Sequence, residues 1–233
     1  LDQWWRERGL AREGRLWLFR LYGRIAETGE PIPEAELAAA YHMHSLHAGA
    51  DGEVAEELRF SQRAEAAARQ AGDAGLLARV LTGRGGSLVD MGQHDDAERV
   101  CREVISWAES SGVASDALLA VYTLAELLWR RGALDQAADV LAGARPLEAA
   151  RPAERGRRSV DFLLGMVALG RRDLVAAHDH LVVALRSRMT YGFHSRACDT
   201  ICAIAVRCAL GGDALTAARL FGAAQATRSA LRS

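Results

Sequence analysis

The chain has 233 residues, 50% of them hydrophobic and 25% charged, which is ordinary globular composition and length enough to bury a substantial core. Its 29 basic residues face 30 acidic ones, so the totals imply no basic face, and direct contact with nucleic acid is not expected. No window approaches about 18 consecutive apolar residues, and no charged-then-apolar leader opens the sequence, so neither membrane spanning nor secretion has a signal.

In chain order, the first unit (1–28) carries Gly9 and Gly14 with Leu18 and Leu21 following. Thr28 to Pro33, with Gly29, Pro31 and Pro33, predicts a break. The second unit (33–71) has Ser45, Ser61 and Ala64, but Glu57 stands where a small residue is expected. From there a 40-residue repeat becomes regular through units 73–111, 113–151, 153–190 and 192–233, with a turn cluster at Pro146 to Pro152 setting off the fifth. Gly52, Gly92, Gly132 and Gly212 are spaced by multiples of 40, and Arg172 fills the vacant slot. Small residues recur in step around the turn: Gly85 with Ala97, Ala125 with Ala137, Gly165 with Ala177, and Ala205 with Ala217. Larger residues follow at Cys101, Leu141, Leu181 and Phe221, then Val104, Ala144, Ala184 and Ala224, on one helical stripe.

This pattern predicts an all-α domain over 1–233 of about six helix pairs. In each pair a helix ends at a glycine able to turn left-handed, and small residues let the second helix approach closely. Asp135 and Asp173 are placed to cap the second helices. One pair alone buries too little apolar surface, so pairs stack.

Small residue, turn glycine, small residue and large apolar residue resembles the tetratricopeptide repeat, which implies a right-handed superhelix with a concave groove. The period exceeds that family's usual length of about 34, so the helices or their connections must be longer. Trp4-Trp5-Arg6-Glu7-Arg8-Gly9, Glu13-Gly14-Arg15-Leu16-Trp17-Leu18 and Ala217-Ala218-Arg219-Leu220-Phe221-Gly222-Ala223-Ala224 resemble the helical-repeat region of large actinobacterial transcriptional regulators. Those regulators join a signalling ATPase module and an output domain to such repeats. This chain has no Lys, hence no GxxxxGK[ST] motif. The resemblance implies a module that senses a small molecule or protein. The start at Leu1 and stop inside a helical pattern at Ser233 suggest a segment of a longer protein.

Transferring the groove positions of tetratricopeptide repeats by the 40-residue phase gives His42 and Leu46; Arg79, Thr82 and Asp90; Tyr122, Glu126, Trp129 and Arg130; Phe162, Met166, Asp199 and Cys202. Of these, Arg79, Tyr122, Glu126, Trp129, Arg130, Phe162 and Met166 are the candidate ligand- or partner-binding residues. The alternative is that they pack between helix pairs. His194, Cys198 and Cys202 share a helical face with zinc-compatible donors, but cysteines are among the most buried residues and zinc sites draw on several elements, so no metal is expected. His42, His44 and His47 are expected to be exposed or groove-lining. The Arg runs at Arg130-Arg131, Arg155 to Arg158 and Arg171-Arg172 read as solvated faces. No nucleophile elbow is present, so neither catalysis nor a cofactor is expected.

The four Cys suit a reducing compartment, and a cytoplasmic location is expected. The expected partner is a protein, a peptide or a small-molecule effector in the groove, and open-ended stacks can also pair as a homodimer. Two roles follow: a non-catalytic sensor module of a bacterial transcriptional regulator, or a free-standing adaptor.

Overall fold

The computed structural model describes residues 10–150 and 159–232. Trp4, Trp5, Gly9, Pro152 and Arg155 to Arg158 lie outside them. The described residues are helical apart from short turns, contain no strand, and adopt an all-α tetratricopeptide-like repeat fold. No helix among them is long and apolar enough to cross a membrane. The chain divides into two compact units, residues 1–120 and 121–233.

The first unit contains α1 (Ala11–Thr28), α2 (Glu34–Ala50), α3 (Val54–Ala71), α4 (Ala74–Asp90), α5 (His94–Ser110) and a 3-10 turn at Ala114–Ala117. α6 (Leu118–Arg130) then leads into the second unit, with α7 (Leu134–Ala142), α8 (Ala144–Ala150), α9 (Val160–Gly170), α10 (Leu174–Thr190), α11 (His194–Leu210) and α12 (Ala214–Arg232). α2, α4, α6, α9 and α11 open helix pairs, which α3, α5, α7 with α8, α10 and α12 close.

One turn design joins the helices. Gly92 has φ +73°, its N–H donates to Val89 O at 2.9 Å, and the next N–H, of Gln93, reaches back to Leu88 O at 2.8 Å. This is the left-handed closure that satisfies the last carbonyls of a helix. The same two bonds recur at Gly52, Gly132 and Gly212, and also at Arg172, which holds φ 59° without the freedom of glycine. A second series, missed by the sequence reading, lies halfway between: Gly72, Gly112 and Gly192 are also left-handed and also 40 or 80 apart. Each helix plus turn therefore takes 20 residues. α2, α4, α5, α10 and α11 are all 17 residues long, so the length beyond the family's usual repeat goes into the helices.

The small residues make room for the larger ones. A Cβ on Gly165 would sit 2.7 Å from Cγ and Cδ2 of Leu181, and one on Gly85 would sit 2.9 Å from Sγ of Cys101. The first helix thus offers a hole, and the second fills it with the residue sixteen positions later. Ala97, Cys101, Ala137, Leu141, Ala177 and Leu181 are all fully buried. Phe221 departs from the stripe and is 42% exposed, because among the described residues no helix follows α12 to cover it. Glu57, the irregular residue of the second unit, is accommodated by Gly49, where a Cβ would stand 2.8 Å from its carboxyl carbon, and by Ser87, whose hydroxyl donates to it.

Two local expectations need correction. Asp173 caps α10 by accepting from Ala176 N at 3.0 Å, but Asp135 lies inside the first turn of α7, behind the cap position Ala133, and pairs with Arg171 instead. The Pro146 region is helical: Pro146 is the third residue of α8, where its missing N–H removes only the bond to Ala142, consistent with the helix interruption at Gly143.

Candidate functional site

In the first unit the candidate positions are mostly engaged. Arg79 pairs with Asp116 of the 3-10 turn, Thr82 is buried, and His42 is half-buried against Gly83. His44 and His47 are fully buried, correcting the expectation of exposed histidines. His44 lies flat on Phe60, centroids 3.7 Å apart, with the edge of Phe19 at 4.7 Å and Tyr22 and Tyr41 completing an aromatic cluster. Its Nε2 donates to Glu56 Oε1 at 2.5 Å, and Glu56 also accepts from Nε and Nη2 of Arg15, at 3.0 and 2.8 Å. Burial pushes the His44 proton affinity down despite Glu56, so the ring is neutral. Burial also opposes ionisation of Glu56, yet the bonds from His44 and Arg15 outweigh it and hold this carboxyl below its usual range. A shallow cleft of about 230 Å³ opens between α3, α4 and α5, lined by Leu77, Leu81, Trp107 and the ion-paired Glu65 and Arg69.

In the second unit, Glu126 and Arg130 of α6 pair with each other one turn apart, at 2.6 Å. Trp129, Phe162 and Met166 are half-buried, as are Asp199 and Cys202 of α11. Tyr122 does not line an open surface. Its side chain is fully buried and its hydroxyl donates to Glu148 Oε1 at 2.5 Å. The same oxygen accepts Val160 N at 2.9 Å, the first backbone N–H of α9.

Glu148 marks a position the sequence reading passed over. The core stripe Val104, Ala144, Ala184 continues one turn on to Ala108, Glu148 and Arg188, and in the first unit to Ala68. All four are buried. The slot is filled by a methyl group in the first unit and by charged side chains in the second. Arg188, 2% exposed, repeats the Glu148 arrangement 40 residues later: Phe162 stands where Tyr122 does and Thr200 where Val160 does. Its guanidinium carbon lies 4.3 Å from the Phe162 ring centroid, and its Nη1 donates to Arg196 O at 2.9 Å and to the Thr200 hydroxyl. Burial pushes its pKa down to about 10. A polar residue on a core stripe was the available signal.

Around this slot run further charged contacts. Asp161 accepts from Arg145 at 2.8 Å and meets His180 at 3.1 Å, and Asp199 is taken up by Arg228 at 2.8 Å and Arg196 at 3.4 Å. Of the zinc-compatible stripe, His194 is exposed and Cys198 is buried. Among the described residues no three His, Cys, Asp or Glu are placed to hold a metal ion.

Neither a protein-family model nor a curated protein matches the chain. Its fold is similar to BtubC (BKLC) from P. vanneervenii, with TM-score 0.71 and 17% identity over 98% of this chain and 92% of that one. It is also similar to a Rap protein complexed with competence and sporulation factor, with TM-score 0.71 and 13% identity over 99% of this chain and 62% of that one. MamA 41-end from Desulfovibrio magneticus RS-1 matches with TM-score 0.52 and 20% identity over 84% and 98%. At such identities the likeness speaks for the fold alone, a tetratricopeptide-like helical repeat.

Proposed function

We propose that the chain is a non-catalytic binding module, the sensor segment of a bacterial transcriptional regulator, acting in the cytoplasm. The observation that carries this reading is the content of the second unit's first helices. Phe162 and Met166 remain half-buried against the apolar cluster of Leu169, Ala177 and Leu181, Phe162 also lies over the buried Arg188, and Trp129 is half-buried on α6. Half-buried aromatic and soft apolar groups next to a few fixed charges are what a ligand surface needs. The Rap protein of similar fold is a complex with competence and sporulation factor, which supports a partner-binding use of this architecture. The regulator assignment rests on the sequence resemblance.

The test is thermal unfolding of the chain against a panel of small metabolites and short peptides, since a ligand of the native state raises the midpoint by mass action. A rise that Phe162→Ala or Trp129→Ala removes is the expected result. No rise with any compound, peptide or protein fraction contradicts the reading. A free-standing adaptor is the second reading. It is favoured by the apolar residues left outside on α12, with Leu215 63% and Phe221 42% exposed, which suit a protein partner. Only protein fractions would then raise the midpoint.

A further inference from the structure

A buried charge costs stability unless its donors or acceptors are met. The two equivalent slots of the second unit solve this differently. At Glu148, the oxygen Oε1 receives both the Tyr122 hydroxyl and the Val160 amide. At Arg188, the ring above is Phe162, which offers a face but no polar atom, and both hydrogen bonds to described residues leave from Nη1. Nε is buried and has no hydrogen-bond partner. The nearby acids are already engaged: Asp199 by Arg228 and Arg196, Glu148 by Tyr122 and Val160. An arginine kept charged, buried and unmatched on its Nε side, beneath a half-buried aromatic ring, has the donor geometry that a planar carboxylate accepts.

We propose that Arg188 is the anchor of a carboxylate-binding site, in which the ligand's carboxylate takes the Nε side of the guanidinium and its apolar part lies along Phe162 and Met166. The proposal deepens the binding-module reading by naming the class of ligand, and it rests on that reading only for access to α9 and α11. The carboxylate comes from a small organic acid or from the free C-terminus of a peptide; both share the chemistry that Arg188 recognises.

The experiment is thermal unfolding of the whole chain in sodium formate, acetate or benzoate against sodium chloride at equal ionic strength and pH 7, with wild type and Arg188→Met. The account expects a midpoint rise on the order of 2–4 °C with saturating carboxylate in wild type and none in the variant. Arg188→Met itself should melt in chloride at or above the wild-type midpoint, because it removes a buried charge whose Nε donor is unmet. A variant that melts far lower would show Arg188 to be a structural strap between α10 and α11 and would overturn the proposal. So would equal responses of wild type and variant to carboxylate. As a second readout, the Arg188 Nε–H resonance should move on acetate titration in wild type, and its failure to move would contradict the assignment. A peptide with a free C-terminus acting at lower concentration than acetate, with its amide inert, would identify the peptide source. Small acids acting alone would identify the metabolite source. If carboxylates do nothing while another compound in the panel still raises the midpoint, this proposal fails and the binding-module reading stands.

Discussion

The first and second units use the same slot for opposite purposes. In the first, Ala68 and Ala108 fill it with a methyl group, and in the second, Glu148 and Arg188 put a carboxylate and a guanidinium there. The helices around the slot follow one design in both units, with left-handed turns spaced by 20 or 40 residues and a small residue under a larger one. A repeat therefore leaves individual positions open to specialisation while its backbone is held by a few others. Polar investment in the first unit sits elsewhere, in the His44, Glu56 and Arg15 cluster packed on Phe60.

Four tests sharpen this contrast, from the largest expected effect down. Leu181→Ala, which empties the hole over Gly165, should cost about 2–5 kcal/mol by denaturant unfolding. A cost below about 1 kcal/mol would mean the helix pair is not held by that contact. Glu148→Ala should cost about 2–4 kcal/mol, since it removes the acceptor that the Tyr122 hydroxyl and the Val160 amide share, whereas Arg188→Met should be neutral or stabilising. Equal losses would erase the distinction between the two slots. Gly165→Ala should cost about 1–3 kcal/mol by overpacking Leu181, while Gly86→Ala, with nothing within 4 Å of the added carbon, should gain about 0.5–1 kcal/mol of helix propensity. If both behave alike, the close approach at Gly165 is not the reason for the glycine.

The fourth concerns pH. His44 in the folded chain takes up a proton less readily than the free side chain with its pKa near 6.5. The unfolded chain therefore binds more protons as pH falls below 6.5, and stability drops in that window. Glu56, held below its ordinary value of 4.5, adds a further loss as pH falls below that value. His44→Gln should flatten the melting midpoint between pH 7 and 5. An unchanged slope would place the acid sensitivity elsewhere.

The helix pairs, the turn glycines and the stripe at Cys101, Leu141 and Leu181 were legible because they rest on local geometry: a left-handed turn needs glycine, and a close crossing needs a small residue. Arg172 shows the limit, since an arginine occupies that turn and only its phase reveals it. The second glycine series, Gly72, Gly112 and Gly192, lies at the turns between pairs rather than within them, outside the small-residue pattern that marks the first. The site was less legible. Phase put Tyr122 and Phe162 at equivalent positions, but whether such a residue faces solvent depends on what arrives from the next helix, and Glu148 buries Tyr122. The buried histidines were misread for the same reason: Glu56 and Phe60 come from α3 and make a buried imidazole tolerable.

The most direct test of the binding-module account is amide hydrogen exchange, run with and without whichever metabolite or peptide raises the unfolding midpoint. The account predicts new protection concentrated in the first helices of the second unit, α9 and α11 above all, and in the last turn of α10 around Arg188, with α12 little changed. Protection confined to α12, or to the first unit's cleft between α3 and α5, would contradict it.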